Sequence, residues 1–281
     1  MMFLVSLAAV VMVATGQPVL RAPAGFAARY EVESRLTSGE GAEAGGDAAW
    51  TLEQRARVSL KEEGPNAEGA ATITFAFETL AATLREGTVE TDFAWRVGDA
   101  APADEPESAA AMRKAAGGGF RLERFGGALI EEVEGGPGAR RMRREPERVK
   151  WLGVFAASAL PRTLGPIVAL DGSGKARAVG DEWLIEHRLS SAAVLRLRPR
   201  VVSIEGERVV VRGAVEIETE SAEPEITVIV REGAFSAEWS GERLVSSELQ
   251  YEAAWTATLA TEPPIEQKTT TSTRIRLTLV P

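Results

Sequence analysis

The sequence predicts a mainly β protein: an internally duplicated antiparallel sheet, forming a half-barrel or open barrel, with one short central helix. Three observations lead to this prediction. Several segments alternate apolar and polar residues with a period of two, as strands with one buried face do. A hairpin-like stretch occurs twice, and an apolar segment in the middle of the chain has helical spacing.

The duplicated stretch is Gly118–Glu132, which aligns without a gap with the start of Gly233–Leu249, 115 positions further on. The matched pairs are Phe120 with Phe235, Glu123 with Glu238, Gly126 with Gly241, Leu129 with Leu244 and Ile130 with Val245. Glycine enters the positive-φ conformations of hairpin turns without steric cost. Each copy therefore predicts a strand, a tight turn at the shared glycine and a second strand.

Composition limits the function classes. A chain of 281 residues, 44% hydrophobic, can bury a core as one large β domain or two small ones. Its net charge of −9 argues against nucleic-acid binding, which needs a basic surface. The chain has no cysteine and one histidine, so we expect no disulfides, no transition-metal site and no cofactor.

The N-terminus predicts export. Phe3–Ala14 is an apolar run of the length of a secretory h-region, and Ala14 and Gly16 are the small residues that a cleavage site before Gln17 requires. Residues 1–16 are thus predicted to be a signal peptide, with an uncleaved anchor as the alternative. We expect a periplasmic or secreted protein without an integral membrane segment after cleavage.

The first β half is predicted to span 17–135. Phe26–Leu36 alternates strictly, Trp50–Glu62 reads as a long strand with an exposed face, and Ile73–Phe77 and Val89–Val97 are further strands. Ser108–Ala116 fits a short helix that ends at the following glycines.

A linker is predicted at 136–179. Its basic cluster, 140–150, is interpreted as a solvated segment, with an anionic-ligand or membrane-surface role as the alternative. Trp151–Leu160 has helical spacing, so a short amphipathic helix that ends before Pro161 is expected there, followed by an extended connection to Gly180.

The second β half is predicted to span 180–281. Trp183–Leu189 matches Tyr30–Leu36 with an offset of 153 residues, and Val209–Ile217 is the counterpart of the Ile73–Phe77 strand. The last strand, Ser272–Val280, has no counterpart in the first half and is a candidate to close the sheet. The duplication predicts that the halves share strand order and direction and are related by an approximate two-fold axis.

The sequence contains no convincing catalytic motif, and we expect that the protein is not an enzyme. His187 falls on the same side of its strand as Trp183, Ile185 and Leu189, which favours a buried, hydrogen-bonded and neutral ring over a general base. No Ser-His-Asp arrangement is supported. Gly172–Lys175 lacks the preceding strand and the spacing of a phosphate-binding loop.

The export signal, the Phe-x-x-x-x-x-Gly-x-x-Leu hairpins at Phe120 and Phe235, the Leu160-Pro161 segment after Trp151, and the Gly180-Asp181-x-Trp183 strand entry together resemble uncharacterised secreted β-rich bacterial proteins. Their architecture is similar to the half-barrel of periplasmic lipoprotein carriers. This resemblance implies lipid binding in the cell envelope and brings no catalytic residues. The chain departs from the lipoprotein members because it lacks a lipid-anchor cysteine.

Two functions follow. The first is an exported, non-catalytic envelope protein that binds a lipophilic or other apolar ligand in a concave sheet. The second is a cell-surface structural or protein-interaction module that meets an envelope protein. The ligand-binding residues predicted for the first function are Tyr30, Phe120, Trp151, Phe155, Trp183, His187 and Trp239.

Overall fold

The protein is described from a computed structural model. It describes residues 17–40, 49–65, 71–105, 107–125, 128–135, 153–155, 159–170, 174–190, 193–219, 225–259 and 265–281. The predicted signal peptide, the basic cluster at 140–150 and Trp151 lie outside these ranges.

Twelve strands make up most of the described chain. They are β1 (Ala27–Glu40), β2 (Trp50–Pro65), β3 (Ala71–Glu86), β4 (Val89–Arg96), β5 (Phe120–Phe125), β6 (Ala128–Gly135), β7 (Ile185–Ser190), β8 (Ala193–Glu205), β9 (Arg208–Thr219), β10 (Glu225–Ser240), β11 (Arg243–Leu259) and β12 (Ile265–Val280). The described helices are α1 (Glu107–Gly118) and α2 (Leu160–Val168), and Gly153–Phe155 forms a 3-10 turn.

All twelve strands belong to one antiparallel sheet. Its order is β6-β5-β3-β2-β1-β12-β11-β10-β9-β8-β7, and β4 pairs with β3 off this path. The terminal strands β6 and β7 pair only with their inner neighbours, so the sheet is not closed into a barrel. The predicted fold class, a mainly β protein with an open antiparallel sheet, is confirmed.

The two halves are equivalent meanders. β1, β2, β3, β5 and β6 follow one another across the sheet in the same direction as β7, β8, β9, β10 and β11, and equivalent strands run the same way. The β10–β11 turn is at Gly241, the predicted glycine, which has a φ of 56°. The predicted order and strand direction are therefore found. The two-fold axis stays a prediction, because in a curved sheet a shift across the strands is also a rotation about the axis of curvature.

β12 joins the halves. This strand, which has no counterpart in the first half, lies between β1 and β11 and pairs with both. It therefore connects the two meanders in the middle of the sheet and does not close its edges, which corrects the expectation that it closes the sheet.

The central helix differs from its prediction. The α-helix begins at Leu160, where we expected it to end, and Gly153–Phe155 is a 3-10 turn. The helix contains Pro161 in its first turn, where the missing N–H of proline costs nothing, and Pro166 further along. The extended connection expected around Pro166 is therefore helical. The helix predicted at Ser108–Ala116 is present as α1, which packs on β3 and β4.

The sheet has one apolar and one charged face. Inward positions are filled by aliphatic and aromatic side chains that form one buried cluster, with Tyr30, Phe75 and Trp239 among the largest. The outward face carries cross-strand ion pairs, including Arg29–Glu78, Arg55–Glu31, Arg85–Glu90, Arg196–Glu186, Arg208–Glu238 and Arg274–Glu248. Being exposed, such pairs add little stability, and the fold rests on its apolar face.

Candidate functional site

Helix α2 lies in the opening of the curved sheet. It lies beside β6, the terminal strand of the first half, and beside β11 near the centre. On the other side it meets the second terminal strand, since a Cβ atom added at Gly165 would lie 3.8 Å from Cε1 of His187 on β7. Both edges of the sheet therefore approach the same helix, which fills the gap between them.

The segment before β1 holds the C-terminal end of this helix. The Ala22 N–H donates to the carbonyl of Val168 over 2.9 Å, and the Leu170 N–H donates to the carbonyl of Leu20 over 3.0 Å. Leu20 is fully buried in the core. The beginning of the first half and the end of the linker thus form one covering layer.

Tyr30 and Trp239 converge at Leu244. The Tyr30 hydroxyl donates a buried hydrogen bond of 2.9 Å to the carbonyl oxygen of Leu244. Burial raises the pKa of Tyr30 well above its ordinary value, although the charge on Arg243 lowers it in part. Trp239 on β10 lies opposite Leu244 on β11. The sequence analysis selected both aromatic residues, and the fold brings them to one place.

The indole N–H of Trp239 has no hydrogen-bond partner among the described residues. Trp239 is fully buried, and its Nε1 atom is inaccessible to solvent. The neighbouring inward positions are apolar: Phe235 and Ala237 on the same strand and Val209 and Val211 on β9. A buried donor without an acceptor costs about 1–3 kcal/mol. The immediate surroundings of Trp239 are therefore apolar and leave its N–H without an acceptor.

Phe155 forms a second aromatic group. Its ring stacks on Phe75 with 6.2 Å between centroids and meets Phe77 edge-to-face at 4.9 Å. The 3-10 turn packs closely on β2, because a Cβ atom added at Gly153 would clash with the side-chain oxygen of Gln54. The sequence-predicted ligand residue is thus a core residue that docks the turn on the sheet.

Two polar side chains that the sequence analysis missed hold this region. The Gln54 side-chain oxygen accepts hydrogen bonds of 3.3 Å from the Val154 N–H and from the Ser34 hydroxyl. The Thr163 hydroxyl donates to the carbonyl of Val154 over 2.9 Å and so couples α2 to the turn. Ser34 and Gln54 occupy inward positions of β1 and β2. Their place in the alternation of these strands is the sequence feature that indicates burial.

Trp183 lies beside β8 and the end of α2. It is half-buried, and its Nε1–H donates to the carbonyl oxygen of Leu170 over 3.0 Å. The Arg177 guanidinium stacks over the indole at 4.6 Å from the centroid, within the range of a cation–π contact. The indole N–H of Trp183 therefore already has an acceptor, unlike the indole N–H of Trp239.

His187 is partly buried against α2. Burial lowers the pKa of the imidazole to about 4, and the positive charge of Arg162 contributes. The ring is therefore neutral at pH 7, as expected. The predicted hydrogen-bond partner is not found among the described residues.

Of the other two predicted residues, Phe120 is placed only by its backbone, and Trp151 lies outside the described residues. Phe120 lies opposite Phe75 in the β3–β5 pairing. The described residues hold no group of three or more acidic, histidine or cysteine side chains that could bind a metal ion. Within the same ranges, no helix has the length and apolar character needed to cross a membrane.

Comparisons with known proteins give one weak structural similarity. No protein-family model matches the chain, and no curated protein matches it. Among solved structures, the chain is similar to lipovitellin, in a structure concerned with lipid–protein interactions, with 9% identity and a TM-score of 0.43. The match covers 92% of this chain and 25% of the lipovitellin chain, so the protein spans about a quarter of that structure's length. This similarity is weak, and the resemblance to lipoprotein-carrier half-barrels rests on the sequence motifs.

Proposed function

We propose that this protein is an exported, non-catalytic carrier or sensor that binds a lipophilic ligand with a carbonyl or carboxylate oxygen, such as a fatty acid, inside the open sheet. The observation that carries the proposal is the buried Trp239 N–H without a partner in the described structure. In an apolar interior, the oxygen of a lipid headgroup is the acceptor that would satisfy it.

The surroundings of Trp239 support an apolar ligand. The buried residues of β8 to β11 are mainly valine, leucine, phenylalanine and alanine, and they include Tyr251 and Ser247 on β11. Such a surface favours binding of a hydrocarbon chain. The few polar groups beside it would fix the orientation of the ligand.

The open edges support an entry route. Helix α2 fills the gap between β6 and β7, and these edges contribute no strand pairing to each other. Displacement of the helix would break its hydrogen bonds to the segment before β1 but no strand pairing of the sheet. We place ligand entry at this gap.

The proposal of export rests on the sequence alone, on the apolar segment Phe3–Ala14 and the small residues before Gln17. The proposal that the protein is not an enzyme rests on the composition of the interior. Its buried polar groups include Gln54 and Thr163, which are engaged in holding the covering segments.

Titration calorimetry of the delipidated protein with oleate tests the function. We expect saturable binding with a negative heat-capacity change, because apolar surface is buried. Trp239→Phe removes the N–H but keeps an aromatic ring, and should weaken binding about tenfold, the effect of one lost hydrogen bond of typical strength.

Trp255→Phe is the matched control. The Trp255 N–H already donates to the Thr271 hydroxyl over 2.8 Å, so its loss should leave oleate affinity unchanged. Equal effects of the two substitutions would contradict the assigned role of Trp239. Absence of saturable binding to the wild-type protein would instead favour the interaction-module alternative.

A further inference from the structure

The outward face of the second half contains two arginines that break its charge pattern. Arg200 on β8 and Arg212 on β9 lie directly opposite each other. Neither guanidinium forms an ion pair or hydrogen bond with a described residue. Their neighbour Arg198, by contrast, donates to Glu216 over 3.3 Å.

This arrangement is unfavourable for the isolated fold. Residues directly opposite in an antiparallel pair have Cβ atoms about 4.5–5.5 Å apart, and like charges in such positions repel each other. Glu182 forms an isolated backbone bridge with Arg200 but no ion pair with the described residues. The chain as a whole has a net charge of −9, so this local concentration of positive charge is not a property of its composition.

The two arginines border a groove of about 790 Å³ on the outward face. Its floor consists of small residues, Gly213, Ala214, Ala234 and Ser236, and Arg274 lines the groove with them. The floor is fixed by close strand contact, because a Cβ atom added at Gly213 would lie 2.6 Å from the carbonyl oxygen of Arg198. Small residues and the two unpaired arginines therefore line the same groove.

We propose that this groove binds a phosphate group through Arg200 and Arg212. A guanidinium offers planar, bidentate hydrogen bonding to phosphate oxygens, and a dianion can be shared by two such groups. The repulsion between the arginines would be relieved on binding. Two carboxylates, Glu182 and Glu248, also line the groove, and Glu248 is paired with Arg274 and Arg276. Because Glu182 opposes an anion, binding requires both arginines. This site is on the opposite face from the proposed lipid interior and is independent of it.

The phosphate could belong to a free ester or to a lipid headgroup, and the experiment separates these sources. One arm measures binding of inorganic phosphate and glycerol phosphate by calorimetry. The other measures sedimentation with phosphatidylcholine vesicles that contain or lack phosphatidic acid. Binding in the first arm alone assigns the site to soluble esters, and binding in the second assigns it to the headgroup. Binding in neither arm overturns the proposal.

Substitutions locate the binding. Arg200→Gln and Arg212→Gln should each weaken it about tenfold or more, as expected for a lost charge-assisted hydrogen bond. Arg208→Gln is the matched control, because Arg208 lies on the same face but is bound to Glu238. Equal binding by the double variant and the wild type would overturn the assignment.

A stability measurement keeps the proposal testable without a ligand. Since the two charges repel each other, Arg200→Gln should not lower the melting temperature and should raise it in low salt. A lower melting temperature would show that Arg200 has a structural partner, and it would contradict the proposal.

Discussion

Tyr30 links β1 to β11 through its buried hydrogen bond to the carbonyl of Leu244. Tyr30→Phe should lower the free energy of unfolding by about 1 kcal/mol or more, because it leaves a buried acceptor unpaired. Tyr251→Phe is the control: Tyr251 is also buried, but its hydroxyl forms no hydrogen bond to a described residue. Urea denaturation measures the free energy of unfolding of both variants. Equal losses of stability in Tyr30→Phe and Tyr251→Phe would contradict the role of the Tyr30 hydroxyl.

His187 should make stability depend on pH. Its pKa is about 4 in the folded protein and 6.5 as the ordinary value, so the unfolded chain takes up a proton first as the pH falls. The stabilisation is complete above pH 6.5 and is lost toward pH 4; it amounts to at most about 3 kcal/mol. We expect less, since the ring is only partly buried.

The substitution His187→Gln isolates this contribution, because the carboxylates still titrate in the variant. Urea unfolding of both proteins at pH 7 and pH 4 gives the comparison. The wild type should lose more stability than the variant over this range. Parallel losses would show that His187 titrates normally.

At the level of single residues, alternation along Phe26–Leu36 predicts that Tyr30 faces inward, and Trp239 is a candidate because it is an aromatic residue of the duplicated hairpin. It could not predict their meeting, since Leu244 lies 214 positions from Tyr30 and the contact depends on sheet order. The unmet N–H of Trp239 has no sequence signal either, because it depends on which acceptors the fold places nearby.

Among the strands, the close contact of β8 and β9 depends on Gly213. Gly213→Ala would place a Cβ atom 2.6 Å from a backbone oxygen, which no side-chain movement relieves. We expect a loss of about 1–3 kcal/mol. Gly64→Ala, on β2, meets nothing within 4 Å and should change stability by less than about 0.5 kcal/mol. Thermal unfolding of the two variants tests this expectation. An unchanged melting temperature for Gly213→Ala would contradict the close contact of β8 and β9.

The strands were predictable because each carries its own alternation, as Phe26–Leu36 and Val209–Ile217 show. The sequence misplaces the central helix, because Pro161 resembles a residue that ends a helix. Pro161 lies in the first turn of α2, where proline is favoured. The spacing of apolar residues in 151–160 predicts an α-helix, but residues 153–155 form a 3-10 turn. Local spacing alone did not distinguish a proline that begins a helix from one that ends it.

For the whole molecule, the repeat predicted two equivalent halves but not how they combine. A sequence offset does not specify how the two halves join, which depends on the pairing partners of β12. By inserting between β1 and β11, this strand makes one continuous sheet with two free edges and a single apolar face. That face is what α2 and, in our proposal, a ligand must cover.

The most direct test of the proposed function is the indole N–H resonance of Trp239 in a ¹⁵N spectrum during titration with oleate. The signals are assigned with the variants Trp239→Phe, Trp183→Phe and Trp255→Phe. The N–H groups of Trp183 and Trp255 already have acceptors. We predict a large, saturable downfield shift for Trp239 and small shifts for the other two. An unchanged Trp239 signal at saturating oleate would contradict a ligand site at this indole.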